Sequence, residues 1–381
     1  MMPMRNIQMV DLKGQYIKIQ TKIDQAIQQV LQSSSFINGS IVKEFSSSLE
    51  IYLSVANVIP CGNGTDALQI ALMSLGLKKG DEVICPDFTF VATAEVIELL
   101  GFKTVLVDVD PTTFMLTAES IEKEITPKTK AIIPVHLFGQ CAPMEEIIAL
   151  AKKHNLFVIE DAAQAIGAEY TFSDGRKFKA GTIGDIGTTS FFPSKNLGCF
   201  GDGGALFTHN DSLAAKCRAI TNHGMNTQYS YECVGLNSRL DSIQAAVLNV
   251  KLSYLDSYNA ARLKAANYYD KAFSDCKQLE TPYRTEQSSH VFHQYTLKLN
   301  PSINREELIA YMNNKGIPVK VYYPIPLHSF DPYKQSIDRE DQFAVSDNLC
   351  STVISLPMHT ELDDETLAYI SSSLLAFVIG K

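Results

Sequence analysis

Apolar residues recur at helical spacing over two N-terminal stretches, residues 16–30 and 41–52. Ser40 directly precedes the second stretch and is predicted to be its N-cap. The chain is therefore predicted to open with two amphipathic helices.

Short apolar, β-branched runs then alternate with helical stretches. The runs cover residues 55–60, 82–86, 104–109, 131–135, 156–159 and 188–192, and the helical stretches cover 65–77, 92–100, 118–124 and 144–154. Continuous apolar strands separated by helices are typical of a mostly parallel sheet with helices on both faces. Ligands of such sheets bind at the carboxyl ends of the strands.

The alternation fades after about Ala205. A long helix is predicted over residues 241–273, with a break near 253–257. A strand at 294–299, a helix at 305–315, a short strand at 318–322 and a last helix at 364–377 follow. The sequence therefore predicts an α/β fold: a large domain of residues 1–255 with a mostly parallel sheet, and a smaller α+β domain of residues 256–381.

Composition narrows the possible partners. The 381 residues carry 33 Lys and Arg against 42 Asp and Glu, a net charge of -9. This balance argues against broad binding to nucleic acid or to an anionic membrane. The eight cysteines form no CxxC pair, so no metal site or disulfide framework is predicted. No apolar run has the length of a signal peptide or a membrane span, and a cytoplasmic enzyme or binding protein is expected.

The segment CGNGTDALQIAL, residues 61–72, follows a predicted strand and opens a predicted helix. It contains a loose G-x-G-x-x-A match, which is a weak dinucleotide fingerprint. Glycines at a helix N-terminus let backbone N–H groups approach an anion, so a phosphate site is one interpretation. A tight turn capped by Asn63 or Thr65 is the other.

Two further strand ends carry candidate chemistry. Asp161 closes an apolar strand, where its carboxylate either binds a protonated ligand nitrogen or caps a helix over residues 162–166. Another strand delivers Ser190, and Lys195 follows between apolar residues and the glycine-rich stretch 198–204. A partly desolvated amine loses its proton more easily and can act as a Schiff-base nucleophile.

Together, the three strand ends supply a phosphate cradle, a buried acid and an amine. Pyridoxal 5'-phosphate requires this set: an anchor for its phosphate, an acid at its pyridine nitrogen and a lysine that forms an imine with it. Once displaced from the cofactor, the lysine can move a proton between substrate and cofactor carbons.

With these residues in place, the sequence resembles the DegT/DnrJ/EryC1/StrS family of sugar aminotransferases, which are fold type I enzymes. The resemblance covers nearly the whole chain and rests on seven ordered blocks: NGTDAL, PDFTFVAT, PVHLFGQ, EDAAQAIGA, SFFPSKNLGCFGDGGA, GLNSRLDSIQAA and YYPIPLH. It implies a pyridoxal-phosphate-dependent transfer of an amino group, from a donor such as glutamate, to a nucleotide-linked keto-sugar. Within the family, the sequence most resembles the subgroup that aminates a keto group at C3 of a nucleotide sugar.

The resemblance also implies roles for residues around the cofactor ring. Lys195 would form the imine, and Asp161 would pair with the pyridine nitrogen. Gln164 would hydrogen-bond the ring hydroxyl. Phe88 would stack on the ring, although packing in the core is the alternative for a phenylalanine.

The cofactor phosphate would be held by backbone and side-chain groups of Gly64, Thr65 and Ser190. Asn237 would reach the phosphate of a neighbouring subunit, which implies a homodimer with shared active sites.

Substrate contacts are implied for Arg239 and for the YYPIPLH block, namely Tyr322, Tyr323 and His328. Relatives that act on sugar acids often have histidine in place of Tyr322, so the resemblance leaves a uronic-acid substrate open. The basic residues of a predicted hairpin, 176–179, either meet a pyrophosphate or are solvated turn charges.

Three alternatives compete with the transaminase. A sugar dehydratase of the same fold has a different residue, typically histidine, in place of the lysine. A non-catalytic regulator would have no need of the set formed by Lys195, Asp161 and Gln164. A nicotinamide dehydrogenase rests on the weak glycine pattern alone.

Overall fold

The computed structural model describes residues 7–227, 229–334 and 342–380. The helices have these bounds: α1 Leu12–Ser33, α2 Ser40–Leu53, α3 Gly64–Ser74, α4 Ala92–Leu99, α5 Ala118–Glu122, α6 Met144–His154, α7 Asp211–Thr221, α8 Ser242–Leu252, α9 Leu255–Phe273, α10 Arg305–Asn314, α11 Ala344–Thr352 and α12 Asp364–Ile379.

The strands have these bounds: β1 Asn57–Cys61, β2 Glu82–Pro86, β3 Lys103–Val107, β4 Thr129–Ile132, β5 Phe157–Asp161, β6 Glu169–Thr171, β7 Lys177–Lys179, β8 Ile186–Ser190, β9 Gly204–Thr208, β10 Met225–Thr227, β11 Ser230–Tyr231, β12 Leu279–Glu280, β13 Tyr295–Leu299 and β14 Val353–Leu356.

The two predicted N-terminal helices, α1 and α2, are present and both pack on α8. Asp11 caps α1, because its side chain accepts a hydrogen bond from the backbone N–H of Gly14 at 2.8 Å. The predicted cap of α2 is wrong by one position. Gly39 is the N-cap and Ser40 is already the first helical residue.

Among the described residues, the central sheet has seven strands in the order β1-β9-β8-β5-β4-β2-β3. β9 runs antiparallel to both of its neighbours, and the other adjacent pairs are parallel. This confirms the mostly parallel sheet. The antiparallel strand β9 was not predicted, since its sequence lies where the alternation fades.

Both faces of this sheet are buried, as its continuous apolar strands predict. On β2, Val83 and Cys85 pack into one apolar cluster and Ile84 into another on the opposite face. On β5, Ile159 packs into the first of these clusters and Val158 into the second. Side chains alternate across the sheet, so consecutive residues reach opposite helix layers.

The C-terminal part contains a three-stranded antiparallel sheet, β12-β13-β14, that shares an apolar cluster with α9, α10 and α12. The break predicted in the long helix is present between α8 and α9. The placement of the domain boundary after residue 255 stays a prediction. Within the described part of the chain, no helix has the length and apolar character needed to cross a membrane.

The strand predicted at residues 318–322 is wrong. Only Lys320 forms a bridge, exchanging two backbone hydrogen bonds with Ser355 on β14. The next hydrogen-bonded pair in this register would join Pro318 to Pro357, and neither proline has an N–H to donate. The third strand of the small sheet is β14, which the sequence did not predict.

Candidate active site

Four predicted cofactor residues lie at one edge of the central sheet. Asp161 is the last residue of β5 and Ser190 the last residue of β8, Gly64 opens the helix after β1, and Phe88 lies two residues after β2. Since β1, β2, β5 and β8 run in the same direction, their carboxyl ends meet at this edge.

Asp161 is buried, with 7% of its surface exposed. One carboxylate oxygen accepts a hydrogen bond from the Thr93 hydroxyl at 2.9 Å, and the other accepts from the backbone N–H of Ala163 at 3.1 Å. Residues 163–167 form turns, and the predicted helix over 162–166 is absent, so Asp161 caps no helix there. Because a carboxylate offers about four acceptor positions, Asp161 retains capacity for a further donor.

Lys195 lies in the turn that follows β8, where its backbone N–H donates to the carbonyl of Phe192 at 2.8 Å. Burial lowers the pKa of its side chain to about 8, although the Asp161 carboxylate acts in the opposite direction. An amine with this pKa has a far larger neutral fraction near physiological pH than an ordinary lysine, whose pKa is about 10.4. Neutrality is the condition for nucleophilic attack on an aldehyde.

The amide of Gln164 is fixed at both ends. Its oxygen accepts from the backbone N–H of Phe138 at 2.8 Å, and its nitrogen donates to the Tyr323 hydroxyl at 3.0 Å. Burial raises the pKa of Tyr323, which keeps the phenol neutral. The amide nitrogen has a second N–H, which suits the predicted bond to a ring hydroxyl. Tyr323, predicted to meet the substrate, therefore also contacts a predicted cofactor residue.

The predicted phosphate cradle is formed by the N-terminus of α3 and the end of β8. A Cβ atom on Gly64 would lie 2.7 Å from the Cβ of Ser190, so only glycine allows this approach. Asn63 caps α3 by accepting from the N–H of Asp66 at 2.8 Å. The backbone N–H groups of Gly64 and Thr65 are in the first turn, where a helix attracts anions. Capping and phosphate binding are thus compatible, and the residues present fit pyridoxal phosphate.

Phe88 is buried within a group of aromatic rings. Its ring contacts Phe114, Phe138 and Tyr323 edge-on, with centroid distances of 6.0, 6.5 and 5.9 Å. This is core packing at the margin of the site, and stacking of Phe88 on a cofactor ring stays a prediction.

Asn237 and Arg239 lie in the segment between β11 and α8. Asn237 is exposed, and its backbone forms an isolated bridge with Asn222. Arg239 lines a cavity of about 510 Å³ together with Lys43 and Arg218. The described residues around that cavity include none of the predicted cofactor residues of the same chain.

The two remaining predicted substrate residues differ in their surroundings. Tyr322 is half-buried, with its ring centroid 6.1 Å from that of Tyr323. His328 donates its backbone N–H and its Nδ1–H to the two carboxylate oxygens of Asp87, at 2.7 and 2.8 Å. Its ring also stacks on Phe343 with centroids 4.6 Å apart. Contact of either residue with substrate stays a prediction.

The hairpin predicted over residues 173–181 is formed by β6 and β7. Its cations have local partners: Arg176 pairs with Asp174 at 2.7 Å, and Lys177 pairs with Glu169 at 3.2 Å. These pairs favour solvated turn charges over a pyrophosphate site.

Thr93 and Asp87 were not predicted from the sequence. Thr93 is fully buried on α4 and donates to Asp161, and Asp87 is fully buried beside His328. Both belong to the PDFTFVAT block. The available signal was a polar side chain at a position where the pattern of apolar neighbours predicts burial.

Comparisons with known proteins agree with this arrangement. The model of the DegT/DnrJ/EryC1/StrS aminotransferase family matches residues 17–375. A UDP-2-acetamido-2-deoxy-3-oxo-D-glucuronate aminotransferase from Pseudomonas aeruginosa is 44% identical over 368 residues, covering 97% of this chain and 99% of that protein. A protein from Geobacillus stearothermophilus named as a pleiotropic regulatory protein is 43% identical over 374 residues, covering 98% of both chains.

A crystal structure of a DegT DnrJ EryC1 StrS aminotransferase from Brucella abortus superimposes with a TM-score of 0.92 at 40% identity, covering 98% of this chain and 100% of that one. The fold of the large sheet and of the C-terminal part is therefore that of the fold type I aminotransferases. The chain belongs to the DegT/DnrJ/EryC1/StrS aminotransferase family, and it is a pyridoxal-phosphate-dependent aminotransferase.

Proposed function

We propose that the protein transfers an amino group to the C3 keto group of a nucleotide-linked sugar, with glutamate as donor. The observation that carries the proposal is the joint placement of Lys195, Asp161 and Gln164 at the carboxyl edge of the sheet. The Pseudomonas aeruginosa relative is named as the aminotransferase of a UDP-linked 3-oxo-glucuronate derivative. This supports the keto-sugar and the C3 position. The nucleotide and a carboxylate on the sugar are left open by the proposal.

Each residue has a defined task in this reaction. Pyridoxal phosphate, when bound, supplies an electron sink beside the carbon that loses or gains a proton. Asp161 would keep the pyridine nitrogen protonated, and Gln164 would orient the ring through its hydroxyl. Lys195 would hold the cofactor, and its free amine would move a proton to or from the substrate carbon. Such acid–base work contributes about 10²–10⁴-fold in rate.

The phosphate end would be held without a metal. Backbone N–H groups at the start of α3 would donate to the phosphate, helped by the helix dipole. The hydroxyls of Thr65 and Ser190 would add two more donors.

The proposal is tested with a panel of nucleotide amino-sugars run in the reverse direction. The correct product transfers its amino group to the cofactor, and the visible band of the lysine-bound form disappears. Borohydride reduction before the reaction, followed by peptide mapping, is expected to place the cofactor on Lys195. Loss of the band with glutamate but with none of the C3 amino-sugars would contradict the proposed substrate.

We also propose a homodimer whose two active sites are each completed by the partner. Asn237 is exposed, and Arg239 lines a cavity whose described lining does not include Lys195, as expected for residues that serve a neighbouring site. The aromatic ring of Phe192, three residues before Lys195, is 53% exposed and available for burial by a second subunit. A two-fold axis would complete both sites by the same exchange.

Mixing two inactive variants tests the shared sites. Lys195→Ala disables one subunit, and Asn237→Asp brings a negative charge to the phosphate bound by the other. A mixed dimer then holds one doubly defective site and one intact site, so activity returns towards half of normal per mixed dimer. If Asn237→Asp is impaired but confirmed mixed dimers remain inactive, Asn237 serves its own chain and the sites are not shared.

A regulator without catalysis is the second candidate, since the Geobacillus stearothermophilus relative is named as a regulatory protein. It predicts bound cofactor without turnover of any amino-sugar in the panel. A dehydratase is disfavoured because Lys195 is present. A cytoplasmic location and a role of the amino sugar in polysaccharide biosynthesis follow only from the proposed reaction.

A further inference from the structure

Asp87 joins the end of β2 to a turn from the C-terminal part of the chain. Its carboxylate is fully buried and accepts two hydrogen bonds from His328, one from the backbone N–H and one from Nδ1–H. Its carbonyl accepts a third, from the N–H of Leu327 at 3.1 Å. Three bonds thus fix one short turn, residues 327–329, against the residue that directly precedes Phe88.

The same segment reaches the cofactor residues at its other end. Tyr323 lies four residues before Leu327, and its hydroxyl accepts from the amide of Gln164. The Tyr323 ring also contacts Phe88, with centroids 5.9 Å apart. A segment held by Asp87 at one end therefore contacts Gln164 and Phe88 at the other.

We propose that Asp87 and His328 are a positioning pair that holds residues 323–328 so that Tyr323 orients Gln164 in the cofactor site. The inference rests on the proposed function and changes the part assigned to His328. The backbone N–H and the Nδ1–H of His328 both donate to Asp87, and Phe343 covers one face of its ring. His328 acts through Tyr323 and does not touch substrate.

The charges around His328 make the pair sensitive to pH. The imidazole faces Asp87 from the end of β2 and Asp347 from α11, whose carboxylate lies 3.5 Å from Nε2, and Asp108 acts from beyond β3. The hydrogen bond to Asp87 raises the pKa of His328. Burial raises the pKa of Asp87, but both of its oxygens accept N–H donors, so the ionised carboxylate is the form that this geometry fits.

The raised pKa of His328 determines how the stabilisation changes with pH. A histidine whose pKa is raised by folding stabilises the folded state fully below its unfolded value, about 6.5. That contribution is lost as pH rises through the raised folded value. The positioning effect of the imidazolium is therefore strongest at slightly acid pH.

Binding of pyridoxamine phosphate to the protein freed of cofactor tests the pair without turnover. This form of the cofactor cannot bond covalently to Lys195, and its fluorescence reports binding. His328→Leu is expected to raise the dissociation constant about 10-fold, as for a lost hydrogen bond to a charged group. His328→Asn, which keeps an N–H donor at the δ position, is expected to restore most of the affinity.

Two further variants separate positioning from general damage. If His328 acts through Tyr323, His328→Leu adds little to the effect of Tyr323→Phe, because contacts in one network are not additive. The matched control is His154→Leu, which breaks a histidine–carboxylate pair with Glu122 on the surface of α6 and is expected to leave binding unchanged.

Asp87→Asn keeps an acceptor for the backbone N–H of His328 but removes the charge, so it tests the pair even if His328→Leu fails to fold. It is expected to move the pH dependence of binding, measured relative to wild type, towards lower pH. Unaltered binding in His328→Leu and Asp87→Asn, with a raised KM for the nucleotide sugar, would show that His328 contacts substrate and overturn the inference. Failure of the wild-type protein itself to bind pyridoxamine phosphate would instead refute the proposed function.

Discussion

Glu160 and Asp161 are consecutive residues of β5, and both carboxylates are buried. Because side chains alternate across a strand, the two carboxylates point to opposite faces of the sheet. The comparison between them separates a carboxylate that stabilises the fold from one that is available for chemistry.

Glu160 has four donors in the protein. One oxygen accepts from the N–H groups of Ile183 and Gly184, both at 2.6 Å. The other accepts from the N–H of Gly181 at 2.9 Å and from Nε2–H of His136 at 2.8 Å. The tautomer of His136 follows from its Nδ1, which accepts from the N–H of Ala142. Three of these donors tie the loop before β8 to β5, and the fourth ties β5 to the segment that follows β4.

Asp161 has two donors, Thr93 and the backbone of Ala163, and lies within electrostatic reach of Lys195. It therefore keeps unused acceptor positions that face the cofactor side. The number of filled acceptor positions, and not burial, distinguishes Glu160 from the carboxylate that we propose binds the cofactor.

The largest expected effect is on turnover in Asp161→Asn. An amide still accepts from Thr93 but cannot hold the ring nitrogen protonated, so turnover is expected to fall about 10²–10³-fold, as when a preorganised electrostatic group is removed. Turnover is measured at saturating substrate with cofactor occupancy checked by absorbance. Near-normal turnover at full occupancy would mean that Asp161 only stabilises its turn.

Glu160→Gln is expected to act on stability instead. The new amide nitrogen would face N–H donors and leave them unpaired, which costs about 3 kcal/mol of unfolding free energy. Denaturant unfolding measures this loss, and turnover of the remaining folded enzyme is expected to be normal. Glu119→Gln, in an exposed pair with Lys123, is the control and is expected to leave the free energy of unfolding essentially unchanged.

Thr93→Val tests how far Asp161 depends on its donor. Loss of the hydroxyl leaves the carboxylate with one fixed oxygen, and turnover is expected to fall about 10-fold. Thr93→Ser retains a hydroxyl and serves as the matched variant. Equal turnover in the two variants would show that the Thr93 hydroxyl does not support the function of Asp161.

The smallest effect concerns the pH at which Lys195 becomes reactive. Since the neutral amine is the nucleophile, the rate at which pyridoxal phosphate attaches to the cofactor-free protein is expected to rise with pH and level off above about 8. Visible absorbance follows the attachment. A rate that continues to rise towards the ordinary lysine pKa, about 10.4, would show that Lys195 is not desolvated.

The sequence predicted the parallel strands and α3 to α6 because each has a complete local pattern of apolar spacing. It missed β9 and β14, whose pairing depends on partners distant in the chain. It placed Asp161, Ser190 and Gly64 correctly at strand or helix ends. It singled out Asp161 but gave Glu160 no role, because the donors to Glu160 come from His136 and residues 181–184, which only the folded chain brings together.

The most direct test of this account is the protonation state of the cofactor nitrogen. Nitrogen-15 NMR of enzyme loaded with ¹⁵N-labelled pyridoxal phosphate measures it in the wild type, in Asp161→Asn and in Glu160→Gln. The account predicts a protonated nitrogen in the wild type and in Glu160→Gln, and an unprotonated one in Asp161→Asn. A nitrogen that stays protonated in Asp161→Asn, or is unprotonated in the wild type, would contradict the role assigned to Asp161.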